Sequence, residues 1–311
     1  MTIRVAIVGF GKIARDQHVP AIAADPRFEL AAISTRSGDP GLGVPSFTDP
    51  ADLYREMAGR LDAVVIATPP SVRHAIAAEA MEAGLAVLLE KPPAATLGEI
   101  EDLERRAHAL GRCLYAGWHS QHAPAVAAAA EALRGSRVER LRISWLEDVR
   151  KWHPGQEWIW EPGGFGVFDP GINALSIATA ILPMPLFVAE ARLDVPANRQ
   201  APIAARLAFS GGDHAAEFDW RFEAGEQWTI RVDTADGRSV ELRDGGARLF
   251  VDGAERPVAP HGEYPALYAR FAELFETNRV EVDSEPLRIV ADAFLIGRRE
   301  AAEPFNWTRT S

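Results

Sequence analysis

Hydrophobic and polar positions change rhythm near the middle of the chain. In the first part, short apolar runs rich in β-branched residues recur at residues 3–8, 29–34, 61–67, 86–90 and 113–118, with amphipathic stretches between them. Such runs read as strands buried on both faces, and the strand–helix alternation predicts a doubly wound parallel sheet of the Rossmann type. Thr96 followed by Glu99 is a capping box, and its helix should run to about Leu110. The alanine-rich residues 123–133 predict another helix. From about residue 137, strand follows strand: 140–145, 186–195, 203–209, 215–222, 227–233, 239–243 and 248–251. Turns such as Gly211-Gly212-Asp213 and Asp244-Gly245-Gly246 separate many of them, which predicts a large, mainly antiparallel open sheet. Residues 264–277 and 285–300 read as closing helices. The expected class is α/β, with a Rossmann domain over 1–121 and an α+β domain over 122–311 whose C-terminal helix is free to pack back on the first.

Composition narrows the function. The 311 residues are 47% hydrophobic, enough for two folded cores. A net charge of −11 argues against nucleic acid or an anionic membrane as partner, since both need a basic face. The single cysteine, Cys113, excludes a disulfide scaffold and suits a reducing compartment. No apolar run approaches the ~20 residues of a membrane span, and the N-terminus enters a strand pattern without signal-peptide regions. A cytoplasmic protein acting on a small molecule is expected.

The first strand runs into Gly9-Phe10-Gly11-Lys12-Ile13-Ala14, a G-x-G-x-x-A pattern between strand and helix. Gly9 allows the tight turn, Gly11 lets the backbone approach a pyrophosphate, and Ala14 permits close helix–strand packing. The second strand ends in Ser34-Thr35-Arg36-Ser37, with no acid until Asp39. An acid there would bind the 2′-hydroxyl of NAD. Hydroxyls and a guanidinium suit the 2′-phosphate of NADP, so NADP is expected to be preferred and NAD possible. Later strands end at Thr68-Pro69 and Glu90-Lys91, where ligands of open α/β sheets bind. His74, one turn into the next helix, reads as a surface or packing histidine close to the cofactor. The expected cofactor-binding set is Gly9, Gly11, Lys12, Ile13, Thr35, Arg36, Ser37, Thr68, Pro69, His74, Glu90 and Lys91.

Residues 152–173 hold three of the eight tryptophans and an Asp169/Asn173 pair. Asp169-Pro170 reads as a helix start, Asp169 being the N-cap and Pro170 the first helical residue. Both polar side chains would then share one face of the first turn. Trp145, Trp152, Trp158 and Trp160 are interleaved with Glu147, Asp148, His153 and Gln156, a composition suited to a polyol pocket. His119 and His122 lack Cys or acidic partners at metal spacing, so no metal is expected.

The chain resembles the Gfo/Idh/MocA oxidoreductases. GFGKIA at 9–14, EKP at 90–92 and GGFGVFDPGIN at 163–173 carry the likeness, which covers essentially the whole chain. The blocks IARDQHVPAI and WHPGQEWIWEPGGFGVFDPGINALSI are similar to its aldose 1-dehydrogenases. The resemblance implies oxidation of pyranose C1, in L-arabinose and/or D-galactose, to the lactone with hydride transfer to NADP. It implies catalytic Lys91, Asp169 and Asn173, with either Lys91 or Asp169 as base, and sugar contacts from His119, Glu147, Trp152, His153, Asp169 and Asn173. Many family members have His where Asn173 stands; Asn cannot accept a proton at neutral pH, which leaves Asn173 as a clamp. Self-association through the second sheet is a further implication. The alternatives are an inositol or other polyol dehydrogenase and a non-catalytic NADP-binding regulator.

Overall fold

The structure is a computed structural model and describes residues 2–308. It divides into two compact units, one of residues up to His119 together with Gly262–Ser284, the other of Ser120–His261 with the chain from Glu285 onward. The sequence suggests one cut after residue 121; the contacts instead return a segment near residue 270 to the first unit.

The first unit is built on β1 (Ile3–Val8), β2 (Phe28–Ser34), β3 (Ser46–Phe47), β4 (Ala63–Ile66), β5 (Ala86–Glu90), β6 (Leu114–Gly117) and, far along the chain, β15 (Val280–Glu281). All pair in parallel, in the order β15-β6-β5-β4-β1-β2-β3. Chain order reverses between β1 and β4, the switch point of a Rossmann sheet. Every residue of β4 and β5 is buried, as helix-covered parallel strands require. Helix α4 (Leu97–Leu110) starts on the Thr96–Glu99 capping box and stops at Gly111 in the left-handed conformation. Helix α8 (Glu263–Glu276) completes the core, setting Tyr264, Leu267, Tyr268 and Phe271 against Val5, Ile7, Phe28 and Ile33.

The second unit carries β7 (Val138–Leu146), β8 (Val188–Pro196), β9 (Ala204–Phe209), β10 (Asp213–Asp219), β11 (Gln227–Thr234), β12 (Ser239–Arg243), β13 (Arg248–Val251), β14 (Ala254–Arg256) and β16 (Arg298–Ala302). Their order is β14-β13-β12-β11-β7-β10-β9-β8-β16. The pairing is antiparallel except at β7/β10 and β8/β16. Along β10, His214, Ala216 and Phe218 are buried, while Glu217 faces the other way and pairs with Arg206 at 2.9 Å. Helices α5 (Val126–Leu133), α7 (Phe168–Ile181) and α9 (Glu285–Ile296) pack on the sheet and on one another.

Two expectations are corrected here. The last helix ends at Ile296 rather than 300, because residues 298–302 pair with β8 as β16. Asp169 is not an N-cap: α7 begins at Phe168, two residues earlier than expected, with Val167 in the cap position and no side-chain cap. Gly166, at φ +53°, turns the chain so tightly that its carbonyl accepts from the Asp169 N–H at 2.8 Å. The turn is closed by backbone, and Asp169 lies within the first turn of the helix.

Candidate active site

The glycine turn after β1 is shaped by close backbone approach. Gly9 adopts φ +91°, and a Cβ there would lie 2.7 Å from the Ala67 carbonyl carbon and the Thr68 nitrogen. Gly11 has nothing within 4 Å of where its Cβ would stand. A tight turn followed by an open glycine at a helix start leaves room for a diphosphate beside backbone N–H donors. Thr68 Oγ1, at the end of β4, is buried and makes no hydrogen bond within the protein. These residues fit a dinucleotide.

The expected cofactor residues fall at the carboxyl ends of adjacent strands: Lys12 and Ile13 after β1, Thr35, Arg36 and Ser37 after β2, Thr68 and Pro69 after β4, Glu90 and Lys91 at β5. Lys12 is ion-paired with Asp16. Thr35 Oγ1 accepts from the Ser37 N–H at 3.2 Å, and Arg36 is exposed. His74 lies apart, on α3 (Pro70–Glu82), and meets Asp102 of α4 at 2.9 Å. Arg106 and His74 together hold the Asp102 carboxyl down at about 2.

Lys91 is seated on a buried network. Glu90 Oε2 accepts the Lys91 N–H at 2.9 Å, while Oε1 accepts the Tyr264 hydroxyl at 2.7 Å and lies 2.9 Å from His18 Nε2. His18 closes a π-helical turn, Ala14–His18, and its Nδ1 lies 2.9 Å from the Tyr268 hydroxyl. Burial pushes the Glu90 carboxyl up, but His18, His119 and Tyr264 outweigh it and hold Glu90 well below the usual carboxylate range. The same burial and the Glu90 charge raise the Tyr264 hydroxyl. Arg73, buried on α3, donates to the carbonyls of Glu90, Pro92 and Thr68, tying the EKP turn to the end of β4. His119, following β6, pairs with Glu263 at 2.5 Å and stacks on Tyr264. Nothing in the sequence singles out His18, Tyr264 or Tyr268. Nine residues after Gly9, His18 reads as an ordinary helix position until the π-turn points it inward.

In the second unit Glu147, His153 and Asp169 come together, while His119 belongs to the first. Glu147 follows β7, and its loop is tied down by Glu147 N–H to Asp219 and Val149 N–H to Trp220. Asp148 then caps the short helix α6 (Val149–Trp152), its carboxylate accepting the Arg150 N–H at 2.9 Å. This places His153 between two carboxylates: Nε2 is 3.7 Å from Glu147 Oε1 and Nδ1 is 3.7 Å from Asp169 Oδ2. Glu147 Oε2 accepts Trp228 Nε1–H at 2.9 Å. Trp228 stacks on Trp145 at 5.7 Å and touches Trp152 at 5.3 Å; Trp220 lies 5.3 Å from His153. Asn173, one turn beyond Asp169 on α7, has a buried Oδ1 that makes no hydrogen bond within the protein. Trp220 and Trp228 lie outside the tryptophan-rich window. Their only sequence signal is an aromatic residue in or just after a half-polar strand.

Comparison with known proteins decides the family. The Gfo/Idh/MocA model, an oxidoreductase family with an NAD-binding Rossmann fold, matches residues 3–118. Galactose 1-dehydrogenase of Pseudomonas fluorescens is 47% identical over 306 residues, covering 97% of this chain and 98% of that one. The chain belongs to the Gfo/Idh/MocA family. A crystal structure of D-galactose-1-dehydrogenase from Rhizobium etli, 48% identical, superposes with a TM-score of 0.92 over 98% of both chains. A 3-ketoreductase from Actinomadura kijaniata, solved with TDP-benzene and NADP, shares the fold at 20% identity, with a TM-score of 0.80 over 97% of this chain and all of that one. As a Gfo/Idh/MocA oxidoreductase the chain uses the Rossmann sheet for a nicotinamide dinucleotide. Among its described residues no helix is long and apolar enough to cross a membrane.

Proposed function

We propose that the protein is an NAD(P)-dependent aldose 1-dehydrogenase, oxidising C1 of pyranose D-galactose and/or L-arabinose to the lactone, with NADP preferred and NAD accepted. The observation that carries this reading is His153 held between Glu147 and Asp169 beside the Trp145–Trp228 stack. Carboxylates, an imidazole and the Asn173 amide match the hydroxyls of a sugar, and indole faces match its C–H faces. The galactose 1-dehydrogenase names of two full-length relatives support the same substrate class. L-arabinose and D-galactose share configuration at three carbons and differ by a hydroxymethyl, which discriminates only ~10–200-fold.

In the proposed reaction the bound nicotinamide supplies the hydride acceptor. The chain's residues do the rest. Lys91 or Asp169 takes the C1 hydroxyl proton as the C1–H bond gives up its electron pair and the carbonyl forms. Asn173 donates to or accepts from a hydroxyl without exchanging a proton. His119, Glu147, Trp152 and His153 hold the remaining hydroxyls. Thr35, Arg36 and Ser37 supply hydroxyl and guanidinium donors for a 2′-phosphate. Self-association through the second sheet belongs to this reading. A depression of about 630 Å³ lined by Glu190, Arg192, Arg206 and Ile296 lies on that sheet, with Leu295 and Phe187 exposed. The oligomeric state in solution tests it.

The test of function is formation of reduced nicotinamide with NADP and a panel of D-galactose, L-arabinose, D-xylose, D-glucose and myo-inositol. Turnover with the first two and little with the others is expected. Turnover with inositol alone would overturn the aldose reading, and NADP binding without any turnover would point to a regulator.

A further inference from the structure

The last described stretch of the chain is built into the loop that carries the sugar residues. Phe305 is buried, and Asn198 grips its backbone in both directions: Nδ2 donates to the Phe305 carbonyl and Oδ1 accepts the Phe305 N–H, both at 2.8 Å. Arg150 lies 4.7 Å over the Phe305 ring and donates to the Asn306 carbonyl at 3.0 Å. Trp307 Nε1–H donates to Glu157, which also pairs with Arg199. From Phe305 a row of rings runs inward. Phe305 is 4.8 Å from Trp160, Trp160 meets Trp220 edge-on at 5.2 Å, and Trp220 is 5.3 Å from His153.

We propose that the segment Phe305–Trp307 is a positioning element for sugar binding, holding His153 at its angle between Glu147 and Asp169 through Trp160 and Trp220. The proposal rests on the aldose reading of the His153 cluster. At 3.7 Å, neither carboxylate is within hydrogen-bond distance of the imidazole. Trp160 Nε1 and Trp220 Nε1 are buried and make no hydrogen bonds within the protein. No indole N–H bond locates the two rings, so ring packing, with Arg199 over Trp160, sets them, and Trp220 sets the angle at which the imidazole faces its two carboxylates. Interiors are close-packed, so an indole keeps its place only while the atoms behind it stay. Of the groups packed on Trp160 away from Trp220, the Phe305 ring is nearest, at 4.8 Å, with Arg199 at 5.6 Å and Trp307 at 6.5 Å. Removing it opens a space into which the row can relax, and a small displacement of a substrate-orienting group is costly.

The test compares Phe305→Ala, Phe305→Tyr and Asn198→Ala with wild type. The readouts are aldose kinetics, NADP affinity and the His153 imidazole resonance, assigned with His153→Gln. Phe305→Ala should raise the sugar KM about tenfold, equivalent to ~1.4 kcal/mol. It should change kcat less, leave NADP affinity as it was and shift the His153 resonance; Phe305→Tyr should restore both. A folded Phe305→Ala with wild-type KM and resonance overturns the proposal. If that variant does not fold, Asn198→Ala, which frees the tail backbone but keeps every ring, should show the same changes in weaker form, and its unchanged KM and resonance overturn the proposal equally. If wild type oxidises no aldose, the aldose reading fails, while the resonance still tells whether the tail sets His153.

Discussion

His18 Nε2 lies 2.9 Å from Glu90 Oε1, with both side chains inside the first unit. The pair joins the turn after the glycine motif to the residue before Lys91, so one buried carboxylate links the two sequence motifs. Removing one partner of a buried pair leaves the other uncompensated, at a cost of about 3–5 kcal/mol. His18→Leu should lose stability on that order in urea unfolding; an unchanged midpoint would show that Tyr264 and the Lys91 N–H suffice. The Glu90 carboxyl sits below its ordinary 4.5, so its share of stability is present above that pH and is lost as the pH falls through the carboxylate range. Glu90→Gln should lack that share of the acid dependence.

His214 supplies a second acid dependence, in a higher window. Both ring nitrogens are buried and make no hydrogen bonds within the protein, and burial lowers its pKa from 6.5. The folded state thus favours the neutral ring. Stability should be full above 6.5 and decline as the pH drops below it, because unfolding lets the ring take up a proton. His214→Leu should flatten the curve in that window alone. A variant with the wild-type slope would assign the slope to other groups.

Lys91 and Asn173 should separate in kinetics. Lys91→Ala should lower kcat by roughly 10²-fold or more, the size of lost acid–base help. Asn173→Ala should act mainly on the sugar KM, as a uniform-binding contact does. Normal turnover in Lys91→Ala would remove Lys91 from the proton transfer and leave Asp169 as the candidate base.

Cofactor choice turns on the end of β2. Placing a carboxylate there, as Thr35→Asp or Ser37→Asp, should repel a 2′-phosphate and depress kcat/KM for NADP far more than for NAD. Equal losses with both cofactors would defeat the assignment of these residues to the phosphate.

Much of the frame was legible because its signals are short-range. The capping box at Thr96–Glu99, the apolar run of β5 and the turn at Gly9 each depend on residues a few positions apart, and each stands where the pattern predicts. The start of α7 was misread for the same reason in reverse. Asp-Pro is a locally plausible cap, but the turn at Gly166, whose carbonyl accepts the Asp169 N–H, starts the helix at Phe168. Likewise 298–302 extend a helical pattern on paper, and only pairing with β8 makes them a strand.

By itself the sequence determined the family, the parallel Rossmann sheet and the polar residues proposed for a sugar site, since periodicity, turns and motifs are written in neighbouring residues. Tertiary structure decided which of those residues meet. Trp228 reaches Glu147 across 81 residues only because β11 pairs with β7 in the register that sets Trp228 opposite Trp145. His153 stands between Glu147 and Asp169 only because α6 and α7 bring its two neighbours together. Strand register and ring packing are settled by the whole fold, through cross-strand pairs and close-packed interiors, and no local pattern encodes them.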